Sequence, residues 1–291
     1  MDRAASPQTL LLDFDGVLSL NASSLLLLAL HEGINRHTEL PIEATVTQFK
    51  AISTFPQRES LRVLFAGLGI EQHLNAEIDA LRSLTAVRGT PLALGEGVEA
   101  FCAQQRARGV RLRVFSTMDR ATARRSLLDG LFGPEDYVAL DHASKADPDT
   151  YAALLAAEGE VDPGQWLLVD DSPLALRAAK IAGLRTVLMR GAVFSDDDVS
   201  AFGSFIDAQV TSFAELGAHL AAQDAPPAAR PPAAGPRPPG SDHAPDPVCP
   251  RIDRFRCPSH LLIPSCHHPG PSLRRPPPIP RACWWPSLWP P

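Results

Sequence analysis

Two aspartates, Asp13 and Asp15, close an apolar run near the start of the chain, and Gly16 follows them directly. A glycine there permits a tight turn, so that both carboxyl groups can face one site. A carboxylate can attack phosphorus and form an aspartyl-phosphate, and a protonated carboxyl two residues further on can donate a proton to the leaving oxygen. Taken alone, the pair fits an ordinary capped turn as well as a nucleophile with its acid.

A second acidic pair, Asp170 and Asp171, ends another apolar run. Two adjacent carboxylates repel each other unless a cation lies between them and Asp13. Hard oxygen ligands from several loops suit Mg²⁺, which keeps water ligands and binds substrate phosphate. Ser172 and Pro173 come next and also fit the first positions of a helix. The pair therefore predicts a magnesium site beside a helix start.

Residues that could donate hydrogen bonds to a phosphoryl group follow two further apolar runs. Ser116 ends one of them and precedes Thr117, so that a hydroxyl and the nearby backbone amides can hold a phosphoryl oxygen. Lys145, one of only three lysines in the chain, lies just before a predicted helix start. Its ammonium can neutralise a phosphoryl oxygen and the Asp13 carboxylate together.

Apolar, strand-like runs alternate with helical patterns through most of the first 220 residues. The predicted strands are Thr9–Asp13, Arg111–Ser116, Tyr137–Leu140, Trp166–Asp170 and Arg185–Met189. Continuous apolar runs suit strands that are buried on both faces of a parallel sheet, and the alternation predicts βαβ units in an α/β fold. Ligands of such folds bind beyond the carboxyl ends of the strands, where all four polar clusters fall.

Residues 19–89 interrupt the alternation and predict a helical subdomain inserted after the first strand. Its helix candidates are Ser24–Glu32, Glu43–Ile52, Arg58–Leu68 and Ile70–Leu84. Arg58 and Arg62 are one helical turn apart and could bind an anionic substrate there. A solvated basic face is the more common explanation of such a pair.

The composition changes sharply near residue 225. Residues 225–291 hold 21 of the 29 prolines and 4 of the 5 cysteines, and they contain no Lys and no Glu. This proline density predicts disorder or polyproline-like extension. Three interpretations stay open: an interaction arm, a sequence that selection has not shaped, and a metal site whose wide spacings fit known zinc modules poorly. The ligands of that site would be Cys249, Cys257, Cys266, His267 and His268.

The four clusters, in this order, resemble the motifs of the haloacid dehalogenase superfamily, in its β-phosphoglucomutase and phosphoglycolate phosphatase branch. Leu-Leu-Leu-Asp13-Phe-Asp15-Gly-Val matches the first motif and Val-Asp170-Asp171-Ser172 the fourth, while Ser116 and Lys145 stand at the second and third. The resemblance covers about residues 9 to 220. True dehalogenases of the superfamily lack the second aspartate, so Asp15 favours phosphate chemistry.

The resemblance implies a Rossmann-like three-layer core at 1–18 and 90–222, a helical cap at 19–89 and a separate Pro-rich tail at 223–291. It also implies a Mg²⁺ ion. Asp13 and Asp171 would give that ion carboxylates, Asp15 its backbone carbonyl, and Asp170 support through a bound water.

These features together predict a Mg²⁺-dependent phosphomonoester hydrolase that acts on a small phosphorylated metabolite. A sugar phosphomutase is the alternative within the superfamily, and a non-catalytic binding or regulatory protein on the same scaffold is the alternative of another class. The net charge of −6 gives no electrostatic case for nucleic acid or an anionic membrane. The chain has no run of roughly 18 apolar residues and no recognisable secretory signal, so we expect a cytoplasmic protein without a membrane span.

Overall fold

The structure is a computed structural model that describes residues 7–118, 122–138, 140, 143–159 and 162–224. The tail from residue 225 onward lies outside these ranges, and so does the prediction of disorder made for it. No helix within the described ranges is both long enough and apolar enough to cross a membrane.

A parallel sheet forms the centre of the described chain. Its strands are β1 Thr9–Leu12, β4 Arg111–Val114, β5 Trp166–Asp170, β6 Arg185–Met189 and β7 Ala208–Val210. They are ordered β4-β1-β5-β6-β7, and every neighbouring pair is parallel. Two short strands, β2 Ala86–Val87 and β3 Thr90–Pro91, form a separate antiparallel hairpin.

The helices alternate with these strands outside one long insertion. Their bounds are α1 Ala22–Asn35, α2 Ile42–Ile52, α3 Gln57–Gly67, α4 Leu74–Arg82, α5 Val98–Ala107, α6 Pro148–Ala157, α7 Pro173–Ile181, α8 Asp196–Ser200 and α9 Phe213–Asp224. The first four lie between β1 and the hairpin. The predicted helices of the insertion are therefore present, with ends that differ by up to four residues.

Strand β1 shows why its sequence is apolar without a break. Leu10 and Leu12 pack on one face of the sheet in a cluster that includes residues of α5 and α9. Leu11 packs on the other face, where residues of α6 and α7 cover the sheet. Because successive side chains of a strand point to opposite faces, a strand in the middle of three layers must be apolar at every position. The predicted three-layer α/β fold is confirmed.

The inserted helices have an apolar cluster of their own. Leu26 and Leu30 of α1 pack there with Leu64 and Phe65 of α3 and with Ile78 of α4. This cluster is separate from the two that flank the sheet. The insertion is thus held together by its own side chains.

Three details differ from the sequence expectations. The predicted strand Tyr137–Leu140 is reduced, over its described residues, to an isolated parallel bridge between Tyr137 and Val114. Strand β7 was not predicted, because three residues with a central glutamine give too short an apolar signal. Helix α9 continues to Asp224, two residues into the segment assigned to the tail.

Candidate active site

The predicted acidic residues meet at the carboxyl edge of the sheet. Asp13 follows β1 directly, and Asp170 is the last residue of β5, the strand that pairs with β1. The Asp13 N–H donates to the carbonyl of Val169 over 3.0 Å, which continues the pairing of the two strands up to the acidic residues. Parallel pairing therefore fixes the distance between the two acidic groups.

Lys145 lies between these two carboxylates. Its Nζ is 2.8 Å from Asp13 Oδ2 and 2.7 Å from Asp170 Oδ2, and its side chain is only 2% exposed. Burial lowers the pKa of Lys145, but the two carboxylates outweigh that effect and hold the pKa above its usual range. The ammonium is therefore charged and fixed in place. Its own backbone is held as well, because the Tyr151 hydroxyl donates to the Lys145 carbonyl over 2.9 Å.

Gly16 lets the first acidic turn approach Asp171. It has φ +88°, a conformation that L side chains rarely adopt, and a Cβ there would lie 1.9 Å from Asp171 Oδ2. The Ser23 hydroxyl donates to the same carboxylate oxygen over 2.8 Å. Only glycine fits this position while Asp171 keeps its place.

Asp13, Asp170 and Asp171 form a cluster suited to a cation. One carboxylate oxygen from each residue lies within 4.8 Å of the other two, and all three residues are buried. Burial raises the pKa of Asp171, and the neighbouring carboxylates raise it further; burial also raises the pKa of Asp170. Lys145 balances only one of the three negative charges, so the donor set fits a divalent cation.

The three acidic residues are not equivalent as ligands. Asp170 accepts from Lys145 Nζ on Oδ2 and from the Ser172 N–H on Oδ1, so both of its oxygens are engaged. Asp171 accepts from Ser23 on one oxygen. Both oxygens of Asp13 are engaged as well, by Lys145 Nζ and by the Phe14 N–H, so of the three residues Asp171 is the one that keeps an oxygen without a hydrogen-bond partner among the described residues.

Asp15 is paired with a residue that the sequence did not single out. Arg124 Nη2 donates to Asp15 Oδ2 over 3.1 Å, and Arg124 Nη1 donates to the carbonyl of Leu81 in α4 over 3.3 Å. The Arg124 side chain is 2% exposed, whereas that of Asp15 is 21% exposed. Burial raises the pKa of Asp15, and the guanidinium opposes this rise without cancelling it. The Asp15 carboxyl can therefore hold a proton more readily than an ordinary aspartate.

The residues after β4 also reach this site. Ser116 and Thr117 line the same cavity as Asp13 and Asp15. The Ser116 hydroxyl accepts from the Met118 N–H over 3.1 Å, which orients it in the turn. The Ser172 hydroxyl lines the cavity too; Ser172 holds the N-cap position of α7 without the side-chain cap bond expected of it.

The helices of the insertion form part of the cavity wall. The volume of the cavity is about 90 Å³, and its apolar wall comes mainly from the insertion. The apolar residues from the insertion are Leu26, Leu30, Phe49, Ile52, Phe55, Leu61 and Leu81. Two hydrogen bonds join the insertion to the core here. The backbone carbonyl of Thr54 accepts one from the Lys145 N–H and one from the Ser144 hydroxyl.

Arg58 and Arg62 do not reach the cavity. Both are exposed, and Arg58 donates to Asn75 Oδ1 while Arg62 pairs with Glu59 on the same helix. Among the described residues, the cationic side chains that line the cavity are Lys145 and Arg124. The structure therefore gives no support to substrate binding by Arg58 or Arg62, because their helix faces solvent at that point.

Most of the cavity wall was missed from sequence, including the polar residues Ser23, Gln57 and Arg124. Each comes from a region without a recognisable motif, and each reaches the site only through packing of distant segments. Ser23 is 148 residues from its partner Asp171, and Arg124 is 109 residues from Asp15. No spacing in the sequence reports contacts of this kind.

Comparison with known proteins gives a match over most of the described chain. The family model described as haloacid dehalogenase-like hydrolase matches residues 7–183. A curated relative, a CBBY-like protein of Arabidopsis thaliana, is 34% identical over 113 residues, or 37% of this chain. Those residues are 35% of the relative, so the match spans about a third of its length.

Solved structures share the fold. A putative β-phosphoglucomutase of Bacteroides vulgatus matches with a TM-score of 0.57 and 16% identity, over 76% of this chain and 91% of its own. CbbY of Rhodobacter sphaeroides matches with a TM-score of 0.53 and 23% identity, over 72% of this chain and 96% of its own. That protein was solved with xylulose-1,5-bisphosphate and with phosphate.

Proposed function

The chain belongs to the haloacid dehalogenase-like hydrolase family, and we propose that it is a Mg²⁺-dependent phosphatase of small phosphorylated metabolites that works through an aspartyl-phosphate on Asp13. The observation that carries the proposal is the cluster of Asp13, Asp170 and Asp171 around Lys145, with Asp15 beside it in one cavity.

Asp13 is the proposed nucleophile. Lys145 Nζ engages its Oδ2, and the Phe14 N–H donates to its Oδ1 over 2.7 Å, so that the carboxylate is oriented before substrate arrives. In the first step an oxygen of Asp13 forms a bond to phosphorus while the bond from phosphorus to the leaving oxygen breaks. In the second step water attacks phosphorus and releases Asp13 and inorganic phosphate.

Asp15 is the proposed acid and base of the two steps. It protonates the leaving oxygen in the first step and takes a proton from the attacking water in the second. Burial favours its protonated form, which the first step needs. Arg124 holds the carboxyl in position through its bond to Oδ2.

Lys145, Ser116 and Thr117 are the proposed ligands of the phosphoryl oxygens. The Lys145 ammonium would offset the charge of the transferring group, and the hydroxyl and amide groups after β4 would donate to it. Phosphoryl transfer depends mainly on positioning and charge stabilisation. A rigid cation between two carboxylates provides both.

Asp13, Asp171 and the Asp15 carbonyl would hold the Mg²⁺ ion, with Asp170 in support, and Gly16 would lie beside the bound substrate. When bound, the ion would neutralise the phosphoryl oxygens and the excess of buried carboxylate charge. We assign residues 19–89 as the cap that covers this site. The structures of CbbY of Rhodobacter sphaeroides with a bisphosphate and with phosphate support a phosphorylated substrate.

Turnover of p-nitrophenyl phosphate tests the proposal. We expect hydrolysis with Mg²⁺ and none after chelation, with activity restored when Mg²⁺ is added back. The full chain should be compared with its Asp13→Asn variant, which keeps the side-chain size, and thermal melts of both proteins should show that the variant is folded at the assay temperature. Hydrolysis that survives both chelation and Asp13→Asn would contradict the proposal, and no hydrolysis under any condition would favour a binding protein.

A further inference from the structure

The cavity also restricts what the phosphate can be attached to. We propose that the substrate is a monophosphate whose leaving group is small, largely apolar and without a second phosphate, and that one hydroxyl of this group donates a hydrogen bond to Gln57. The inference rests on the proposed function, because it places the phosphoryl group at Asp13. It names Gln57 as a residue that selects the substrate.

The wall opposite Asp13 is apolar. Leu26, Leu30 and Leu61 face the cavity from α1 and α3, and Phe49 and Ile52 face it from α2. Apolar surface of this kind favours carbon groups and penalises charged groups, which would lose their water without gaining a partner. The leaving group, which must lie against this wall, is therefore mostly carbon.

Positive charge in the cavity lies only at the sheet edge, as far as the described residues go. Lys145 is held by Asp13 and Asp170, and Arg124 is held by Asp15. Two cations of the insertion are engaged elsewhere: Lys50 pairs with Asp198 at 2.6 Å, and Arg62 pairs with Glu59. A second phosphate on the substrate would thus meet leucine and phenylalanine side chains instead of a counter-charge.

Four described polar side chains of the insertion line the cavity, and three of them, all serines, already donate a hydrogen bond. Ser23 donates to Asp171, Ser53 to the carbonyl of Lys50, and Ser60 to the carbonyls of Ile52 and Pro56. Within the described ranges, Gln57 Oε1 is buried and has no hydrogen-bond partner, although Gln57 lines the cavity.

A buried amide oxygen needs a donor, because without one it has lost its hydrogen bonds to water and gained none in return. Water can fill this place in the empty cavity. A hydroxyl on the leaving group would replace the water and satisfy the oxygen directly. This is the reason to expect one hydroxyl in an otherwise apolar group.

The size of the cavity sets the size of the group. A cavity of about 90 Å³ beside Asp13 favours a small leaving group over a bulky one.

Three synthetic esters that share a four-carbon chain test the inference: the alkyl phosphate, the same ester with a terminal hydroxyl, and the same ester with a terminal second phosphate. We expect the hydroxyl ester to have a kcat/KM about tenfold above that of the alkyl ester. The kcat/KM of the bisphosphate should be at least about tenfold below that of the hydroxyl ester.

The Gln57→Met variant should reduce the ratio between hydroxyl and alkyl esters toward one, because methionine has a similar shape and no amide. Gln57→Arg should raise the kcat/KM of the bisphosphate relative to the kcat/KM of the other two esters. Gln72→Met is the matched control, since Gln72 is an exposed glutamine of the same insertion. It should leave all three ratios as in the unmodified protein.

Two results would overturn the inference while leaving the phosphatase proposal intact. One is hydrolysis of the bisphosphate as fast as that of the hydroxyl ester. The other is an unchanged ratio of hydroxyl to alkyl ester in Gln57→Met. Absence of Mg²⁺-dependent hydrolysis of all three esters and of p-nitrophenyl phosphate would instead overturn the phosphatase proposal, and the inference with it.

Discussion

The carboxyl edge of the sheet and the inner wall of the helical insertion face the same cavity but are built differently. At the edge, charged groups hold one another: Lys145 lies between Asp13 and Asp170, and Arg124 holds Asp15. The wall of the insertion is formed mainly by apolar side chains. It also includes Gln57, whose Oε1 has no hydrogen-bond partner among the described residues. The edge is held by specific ion pairs, whereas the wall is held by the packing of apolar side chains.

This difference has a physical consequence for substitution. Removal of one member of a buried charged pair leaves the other without a partner, which is among the most costly changes in a protein. Exchange of one apolar side chain for another of similar volume usually costs less than about 1.5 kcal/mol. The chemistry is thus the part of the site that tolerates least change, and the substrate preference is the part that can change readily.

Apart from loss of the proposed nucleophile, the largest effect that we expect comes from Gly16→Ala at the edge. The new Cβ would lie 1.9 Å from Asp171 Oδ2, and φ +88° would strain the alanine backbone. We predict a loss of at least about 100-fold in Mg²⁺-dependent kcat/KM, because Asp171 must move. The control is Gly130→Ala, which has φ +83° but no atom within 4 Å of its Cβ. Similar losses in both variants would show that backbone strain, and not displacement of Asp171, is responsible.

A smaller effect should follow from Arg124→Met. This variant removes the guanidinium that donates both to Asp15 at the edge and to the Leu81 carbonyl in α4. We expect kcat to fall roughly tenfold to 100-fold, because Asp15 loses its orienting partner. The guanidinium lowers the pKa of Asp15, so its loss raises that pKa further.

The pH profile distinguishes this positioning role from a purely structural one. Asp15 must be protonated in the first step, so the alkaline limb of kcat/KM should move to higher pH in Arg124→Met. Arg124→Lys should recover part of the rate and part of the shift. A uniform fall in rate with an unchanged pH profile would contradict the proposed role of Arg124.

The smallest effect should come from Lys50→Met, which removes the ion pair between α2 of the insertion and Asp198 of α8. Such pairs contribute up to about 1 kcal/mol, so we expect less than about a fivefold change, seen mainly as a higher KM. Asp198→Asn should act similarly, and the double variant should be no worse than either single variant. A loss as large as that of Arg124→Met would show that the insertion takes part in the chemistry as directly as the edge does.

The sequence predicted the edge better than the wall. Membership of the haloacid dehalogenase-like hydrolase family and the parallel α/β fold are confirmed. The acidic residues follow apolar strands, and parallel pairing brings strand ends together, so their position could be read from a linear pattern. Their individual roles, and Mg²⁺ as the ion, stay predictions.

The wall was not readable in the same way. Gln57 lies one position before Arg58, yet α3 turns the glutamine toward the cavity and the arginine toward Asn75. Which face of a helix covers a cavity depends on how the helices pack. Charge spacing alone offered Arg58 and Arg62 as candidates, with a solvated basic face as the more common explanation. Arg124 was missed for a similar reason, since its partner Asp15 is 109 residues away.

The most direct test of the central claim is to trap the covalent intermediate. Borohydride reduces an aspartyl-phosphate to homoserine, so protein quenched during Mg²⁺-dependent turnover should carry homoserine at position 13, as read by peptide mass spectrometry. Protein quenched after chelation should keep aspartate there, as should protein quenched without substrate. Homoserine at another aspartate, or continued turnover with none at position 13, would contradict the assignment of Asp13 as the nucleophile.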